Sequence, residues 1–129
     1  MLNDTLATAL SAVLNREKIG KKECVIRPTS KTIKIVFQMM NEQGYIGSFE
    51  EVVTQKGNFL KVNLLGNINK CGAIKPRYSV KKEGYEKFEK RYLPAKGFGI
   101  IFVSTPKGIM IHTEAKKKNM GGKLIAYCY

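Results

Sequence analysis

The chain has 129 residues and 14.5 kDa, with 23 Lys and Arg against 10 Asp and Glu, one His and no Trp, for a net charge of +13. With 43% hydrophobic residues it holds apolar material for one compact body or two small lobes, not for several large domains. A mean hydropathy of -0.22, and no apolar run near the ~18 residues that span a bilayer, exclude a membrane helix, and an N-terminus with Asp4 and no apolar stretch behind it excludes a secretory signal, so an intracellular protein is expected.

Asn3 or Asp4 can cap a first helix in which Leu6, Leu10, Val13 and Leu14 recur with helical spacing, ending before Gly20. Glu23 to Arg27 is short and β-rich, and Pro28 stops it. Thr29 or Ser30 then caps a second amphipathic helix carrying Ile33, Val36, Phe37 and Met40 on one side, with Gly44 in the terminating position. From Tyr45 the pattern becomes extended, and a Lys56-Gly57-Asn58 turn separates two strands. Around Leu65 to Gly72 the composition shifts to Gly and Asn, which suggests two lobes, 1–66 and 67–129.

In the second lobe, Ile68 to Tyr78 is broken by Gly and Pro and supplies irregular strands, and Lys81 to Tyr92 has helical Tyr85, Phe88 and Tyr92 spacing. Phe98 to Val103 is a continuous apolar run typical of a buried strand, Ser104 to Gly108 forms a turn, and Ile109 begins the return strand. His112 to Asn119 holds a basic helical turn ended by Gly121-Gly122, and Lys123 to Tyr129 closes as a strand. The predicted fold class is α+β, an N-terminal α-β-α-β-β lobe followed by a mostly β C-terminal lobe with short helices.

The charge is uneven. Met1 to Lys70 has 10 basic and 6 acidic residues, net +4, whereas Cys71 to Tyr129 has 13 and 4, net +9. Self-repulsion of that size points to a polyanionic partner, nucleic acid first, because no basic amphipathic helix or lipidation signal supports a membrane surface. Lys116-Lys117-Lys118, Lys81-Lys82 and Lys87 with Lys90-Arg91 are candidate phosphate contacts, against the plainer reading of solvated faces. Tyr45, Phe49, Tyr78, Tyr85, Tyr92 and Tyr127 interleave with them, most as core and one or two as base-stacking candidates.

The Ser104-Thr105-Pro106-Lys107-Gly108 turn follows a rigid strand, so its hydroxyls and its cation are expected at fixed, accessible positions suited to RNA edges and phosphate; an ordinary hairpin explains it equally well. Gly121-Gly122-Lys123 lets a backbone approach closely beside an amine, and a helix end explains both glycines too. Thr29-Ser30-Lys31 suits a phosphate at a helix start, although capping alone accounts for it. Catalytic material is thin. His112 and Glu114 would share one face of a strand and are the sole general-base pairing, and no nucleotide-cradling glycine motif occurs. Cys24, Cys71 and Cys128, an odd number without a CxxC, fit neither a disulfide framework nor a zinc site and read as small buried residues.

Several segments together resemble one family. Ser104-Thr-Pro-Lys-Gly-Ile-Met110, Glu114-Ala115 and Gly121-Gly-Lys-Leu-Ile-Ala-Tyr127 look like the signature end of ribosomal small-subunit protein eight. Asp4-x-Leu6-Ala7, Pro28-Thr-Ser-Lys31, Gln43-Gly-Tyr-Ile46 and Leu93-Pro94 ahead of Gly97-Phe-Gly-Ile100 agree in order, so the resemblance spans nearly the whole chain. Lys70 to Arg77 and Gly84 to Pro94 are similar to the archaeal branch more than to the bacterial one. Pro106 stands where the family usually has another hydroxyl, and Thr5 replaces a common Pro.

The resemblance implies a structural constituent of the small ribosomal subunit, a primary 16S rRNA-binding protein that attaches to the central domain and helps organise the platform. It implies RNA contacts at Ser104, Thr105, Lys107 and Gly108, aided by Gly121, Gly122 and Lys123, and phosphate contacts in the first lobe at Thr5, Thr8, Ser30 and Lys31. The expected partners are 16S rRNA, other small-subunit proteins and the chain's own messenger where that imitates the rRNA site. No cofactor, metal or membrane is expected, and the location is the cytoplasm, in the small subunit. The rival reading is an RNA-modifying or RNA-cleaving enzyme using His112 and Glu114.

Overall fold

A computed structural model describes residues 5–26, 31–74, 78–81, 83–95 and 98–129. Helix α1, Thr5–Lys18, buries Leu6, Ala9, Leu10 and Val13, and α2, Lys31–Glu42, buries Ile33, Val36, Phe37 and Met40, the stripes that the 3.6-residue period predicts. Both stop where glycine was expected to stop them. Gly20 and Gly44 take φ of 75° and 80°, and the amides of Gly44 and Tyr45 reach back to Asn41 O and Met40 O at 3.1 and 2.9 Å, which satisfies carbonyls the helix would leave open. The proposed caps at Asn3, Asp4, Thr29 and Ser30 lie outside the described residues.

Three antiparallel strands complete this part of the chain: β1, Glu23–Ile26; β2, Ile46–Thr54; and β3, Gly57–Leu64, in the order β1-β3-β2. Cys24, Ile26, Ile46, Leu60, Val62 and Leu64 are buried, with α1 against β1 and α2 against β2. The hairpin turns one residue earlier than expected: Thr54 pairs with Gly57, so Gln55 and Lys56 form the turn.

The chain folds as two compact units, Met1–Asn69 and Lys70–Tyr129. The second unit holds 14 Lys and Arg against four acidic residues, net +10. Its strands are β4, Cys71–Ala73; β5, Ser79–Val80; β6, Ile100–Thr105; β7, Gly108–Ile111; and β8, Gly122–Cys128. They form one antiparallel sheet in the order β4-β8-β6-β7, with β5 also paired to β8. Ile100 to Val103 and Leu124 to Ala126 are buried without the alternation of a strand with one solvated face, as the continuous apolar run at Phe98 to Val103 predicts for a buried strand.

Two short helices accompany the sheet: α3, Tyr85–Tyr92, and α4, His112–Lys117. Helix α3 begins later than the expected Lys81, because Gly84 N bonds Lys81 O in a turn first. Helix α4 is ended by Asn119 rather than by the two glycines. Asn119 has φ 54°, and Asn119 N and Met120 N bond Lys116 O and Ala115 O at 3.1 and 2.9 Å, the same closure that glycine makes at the other two helices. Gly121 and Gly122 are therefore needed for something else.

Candidate nucleic-acid interface

Strand β6 runs on through Ser104 and Thr105, which pair with Ile109 and Gly108 across β7, so the connection is the two residues Pro106 and Lys107. The expected five-residue loop is a tight turn. Alternation along a strand then divides the two hydroxyls. Ser104 is exposed, whereas Thr105 is 7% exposed and its Oγ1 donates to Gly108 O at 2.7 Å.

The first unit contains an internal control. Thr54-Gln-Lys-Gly57 repeats the layout of Thr105-Pro-Lys-Gly108: Thr54 pairs with Gly57, its Oγ1 donates to Gly57 O, and Gly57 and Gly108 have φ of 126° and 119°. The Thr hydroxyl closes the turn in both hairpins. This corrects the expectation of an accessible Thr105 hydroxyl: the residue is buried and its O–H proton is directed at its own backbone. Thr105→Val, which keeps the shape and removes the hydroxyl, is expected to lower the stability of the second unit by about 1 kcal/mol, read from the urea midpoint.

The close approach that glycine permits occurs at the start of β8. A Cβ on Gly122 would stand 2.3 Å from Ser104 O, and one on Gly121 would stand 2.5 Å from Val80 O. The backbone of β8 passes between β5 and β6, with Val80 paired to Gly122, and Lys123 paired to both Ser79 and Ser104. Exposed Ser104, half-buried Gly121 and Gly122 and exposed Lys123 thus meet at one end of the sheet, and exposed Lys107 and Gly108 lie in the adjoining hairpin. In the first unit, Thr5 opens α1, Thr8 is exposed one turn later and exposed Lys31 opens α2; Ser30 lies outside the described residues.

The aromatic candidates divide as well. Tyr85 is core, its hydroxyl donating to Met120 O at 2.8 Å. Tyr92 stacks on Tyr127 with ring centroids 5.4 Å apart. Tyr78 and Phe88 are also 5.4 Å apart and half-buried, with Arg91 Cζ 5.6 Å from the Tyr78 ring centre and Lys87 Nζ 5.9 Å from that of Phe88. Tyr78 O accepts the amide of Leu124, next to Lys123, so this aromatic and basic pair borders the Ser104 end of the sheet.

The lysine clusters are not uniform. Lys90 with Glu86 and Lys118 with Glu114 are exposed helical pairs at 3.8 and 3.2 Å, worth little to the fold and able to turn toward phosphate. Lys116 is different: its ammonium bonds the carboxylate of Glu89, which is 6% exposed, and His112 Nε2 stands 3.4 Å from the same oxygen. The sequence reading missed this cluster. Glu89 lies one helical turn after Tyr85, and that i, i+4 spacing on the apolar side of α3 was the available signal.

His112 is 3% exposed and its Nδ1 accepts the Ile101 amide at 3.1 Å, so the neutral ring carries its proton on Nε2, toward Glu89. Burial pushes its pKa below the ordinary 6.5; Glu89 opposes the shift and Lys116 reinforces it. Glu114 is exposed on α4, not on a strand with His112, so the expectation that the two share a strand face, on which the rival enzymatic reading drew, is corrected. Among the described residues no three His, Cys, Asp or Glu side chains gather as metal ligands, and no helix is long and apolar enough to cross a membrane.

Comparison with known families gives a match to the model described as Ribosomal protein S8 over residues 4–129. The chain belongs to the ribosomal protein S8 family. It is a small-subunit ribosomal protein that binds rRNA, alongside other ribosomal proteins, and the S8 family is a structural rRNA-binding family rather than an enzyme family. The S8 match takes in both units and the whole Ser104–Lys123 end of the second sheet.

Proposed function

We propose that this chain is a primary binder of the central domain of 16S rRNA in the cytoplasmic small subunit, and that it helps fold that domain into the platform. The observation that supports this reading is the meeting of exposed Ser104 with Gly122 and Lys123 on paired strands of a unit with net charge +10. The Ser104 hydroxyl, donor and acceptor at once, reads a base edge or a ribose 2′-OH in a wide, shallow minor groove. Gly121 and Gly122 let the sugar-phosphate backbone come close to the sheet, and Lys107 and Lys123 hold phosphates and fix position.

Thr105 and Gly108 act from behind by setting the turn that presents Lys107. Thr5, Thr8, Ser30 and Lys31 add phosphate contacts from the first unit. The half-buried Tyr78 and Phe88 offer a stacking edge beside Lys123 in the second unit, and a messenger folded like the rRNA site competes for the same surface.

Ser104→Ala separates discrimination from attraction. Cognate rRNA binding should weaken by ~1–3 kcal/mol while a random duplex is bound as before; equal losses on both would reject the role of Ser104. Lys123→Gln should weaken all RNAs alike and reduce the slope of log affinity against log salt by ~1. Protection mapping of 16S rRNA by the purified protein tests the assignment to the central domain, and footprints confined to another domain overturn it.

A further inference from the structure

Cys71 and Cys128 are 57 residues apart in sequence and directly opposite in the sheet, where β4 pairs with β8 in the register Cys71↔Cys128. The hydrogen bonds fix what kind of pair this is. Lys70 N bonds Tyr129 O at 2.9 Å and Tyr129 N bonds Lys70 O at 2.8 Å, so Lys70 and Tyr129 exchange both bonds, and the next pair along, Cys71 with Cys128, is a non-hydrogen-bonded one. Side chains of such a pair project to the same face from Cα atoms about 4.5 Å apart, inside the range of about 4.4–6.8 Å that a disulfide spans. Both thiols are buried, at 3% and 0% exposure, so neither points away from the other into solvent.

We propose that Cys71 and Cys128 are a site of reversible oxidative modification, converted by an oxidant of the peroxide class into a cross-strand disulfide that clips β4 to β8. In the first step the Cys71 sulfur attacks one peroxide oxygen, the O–O bond breaks, one water leaves and a sulfenic acid remains. In the second the Cys128 thiol attacks that sulfur, the S–O bond breaks, the S–S bond forms, and the hydroxyl departs as a second water with the thiol proton. Two thiols lose two electrons and the peroxide gains them. Access comes through β4, a three-residue strand at the sheet edge, the kind of element that opens locally before the rest. Cys24 does not compete: on β1 it stands opposite Val62 of β3, so the register gives it no cysteine with which to close a disulfide.

The full-length protein is treated with hydrogen peroxide, its remaining thiols are alkylated, and non-reduced peptides are mapped by mass spectrometry. The expected result is one intrachain cross-link joining Cys71 to Cys128, with Cys24 recovered as an alkylated thiol and the cross-link removed by dithiothreitol. The thermal midpoint of the oxidised protein should rise by roughly 5–15 °C. Cys24→Ser should leave the cross-link in place and Cys71→Ala should abolish both it and the rise. In urea the selectivity should disappear, because the folded register alone brings the pair together. Sulfinic or sulfonic acid at Cys71 or Cys128 without a cross-link, cross-links to Cys24 in the folded protein, unreacted thiols, or an unchanged midpoint each overturn the proposal.

Discussion

Gly122→Ala should destabilise the second unit by about 3 kcal/mol and lower rRNA binding in proportion to the folded fraction, more than any change to an exposed lysine. The added methyl carbon would stand 2.3 Å from Ser104 O and 2.9 Å from both Ser104 C and Val103 Cγ1. Two of those three atoms are backbone in β6, which cannot swing aside, so the strands must separate at the Ser104–Lys123 pair or lose register. Forced overpacking of a tight core typically costs about 1–3 kcal/mol, and a clash against backbone belongs at the upper end of that range.

Chemical denaturation followed by tyrosine fluorescence gives the stability, and titration with rRNA gives affinity at a temperature where the variant is folded. A loss below about 1 kcal/mol would show that the glycine is not required by packing. Residual weakening of rRNA binding in the folded variant is the separate expectation from the interface, since Ser104 and Lys123 flank the displaced backbone.

Much of this arrangement was legible in the sequence, and the reason is local in each case. The stripes Leu6, Leu10, Val13 and Ile33, Val36, Phe37, Met40 declare helices because each residue's burial depends on its own turn of helix. Gly20 and Gly44 end them because a left-handed residue is required two places past the last helical residue, Lys18 or Glu42, where glycine is least strained. The hairpin at Ser104 was visible as a turn, but its length was not, because a Thr hydroxyl that folds back onto Gly108 O lets β6 continue for two more residues.

What could not be read was whatever depends on a partner strand distant in the chain. Gly121 and Gly122 look like a helix stop until Val80 O and Ser104 O are seen beside them. Likewise His112 and Glu114 suggest a shared strand face, whereas the helix that begins at His112 turns Glu114 to solvent and His112 to Glu89. Asn119 supplied the helix stop that glycine was expected to supply, since asparagine tolerates the same backbone region.

Lys116→Met should cost the second unit about 2–3 kcal/mol, whereas Lys117→Met should change stability by no more than ~0.5 kcal/mol. Both remove a positive charge from one basic run, and only the first takes the ammonium from a buried carboxylate: Glu89 is 6% exposed and, among the described residues, keeps the His112 ring as its partner. The figure lies below the full range for broken buried pairs because the Lys116 side chain is itself 37% exposed, so water reaches part of the site. Pairing the change with Glu89→Gln should recover most of the loss, since a neutral amide oxygen still accepts from His112 and no charge is left buried. Failure of that double variant to recover stability would mean that the aliphatic stem of Lys116, rather than its charge, holds α4 in place. Acid supplies an independent measurement. The folded pKa of His112 is depressed below 6.5, so the native state binds fewer protons than the unfolded chain, and this contribution is fully present above about pH 6.5 and is lost as pH falls toward and through the folded value. Protonation of Nδ1 would also set a donor against the Ile101 amide that it now accepts. His112→Asn keeps an acceptor near that amide without the titration, so stability measured from pH 7 to pH 5 should fall less in the variant than in the parent. In Lys116→Met the His112 titration followed by NMR should move to higher pH, because the ammonium that helps to hold the ring neutral is gone. An unmoved titration would separate Lys116 from His112 and leave Glu89 bound to each of them independently.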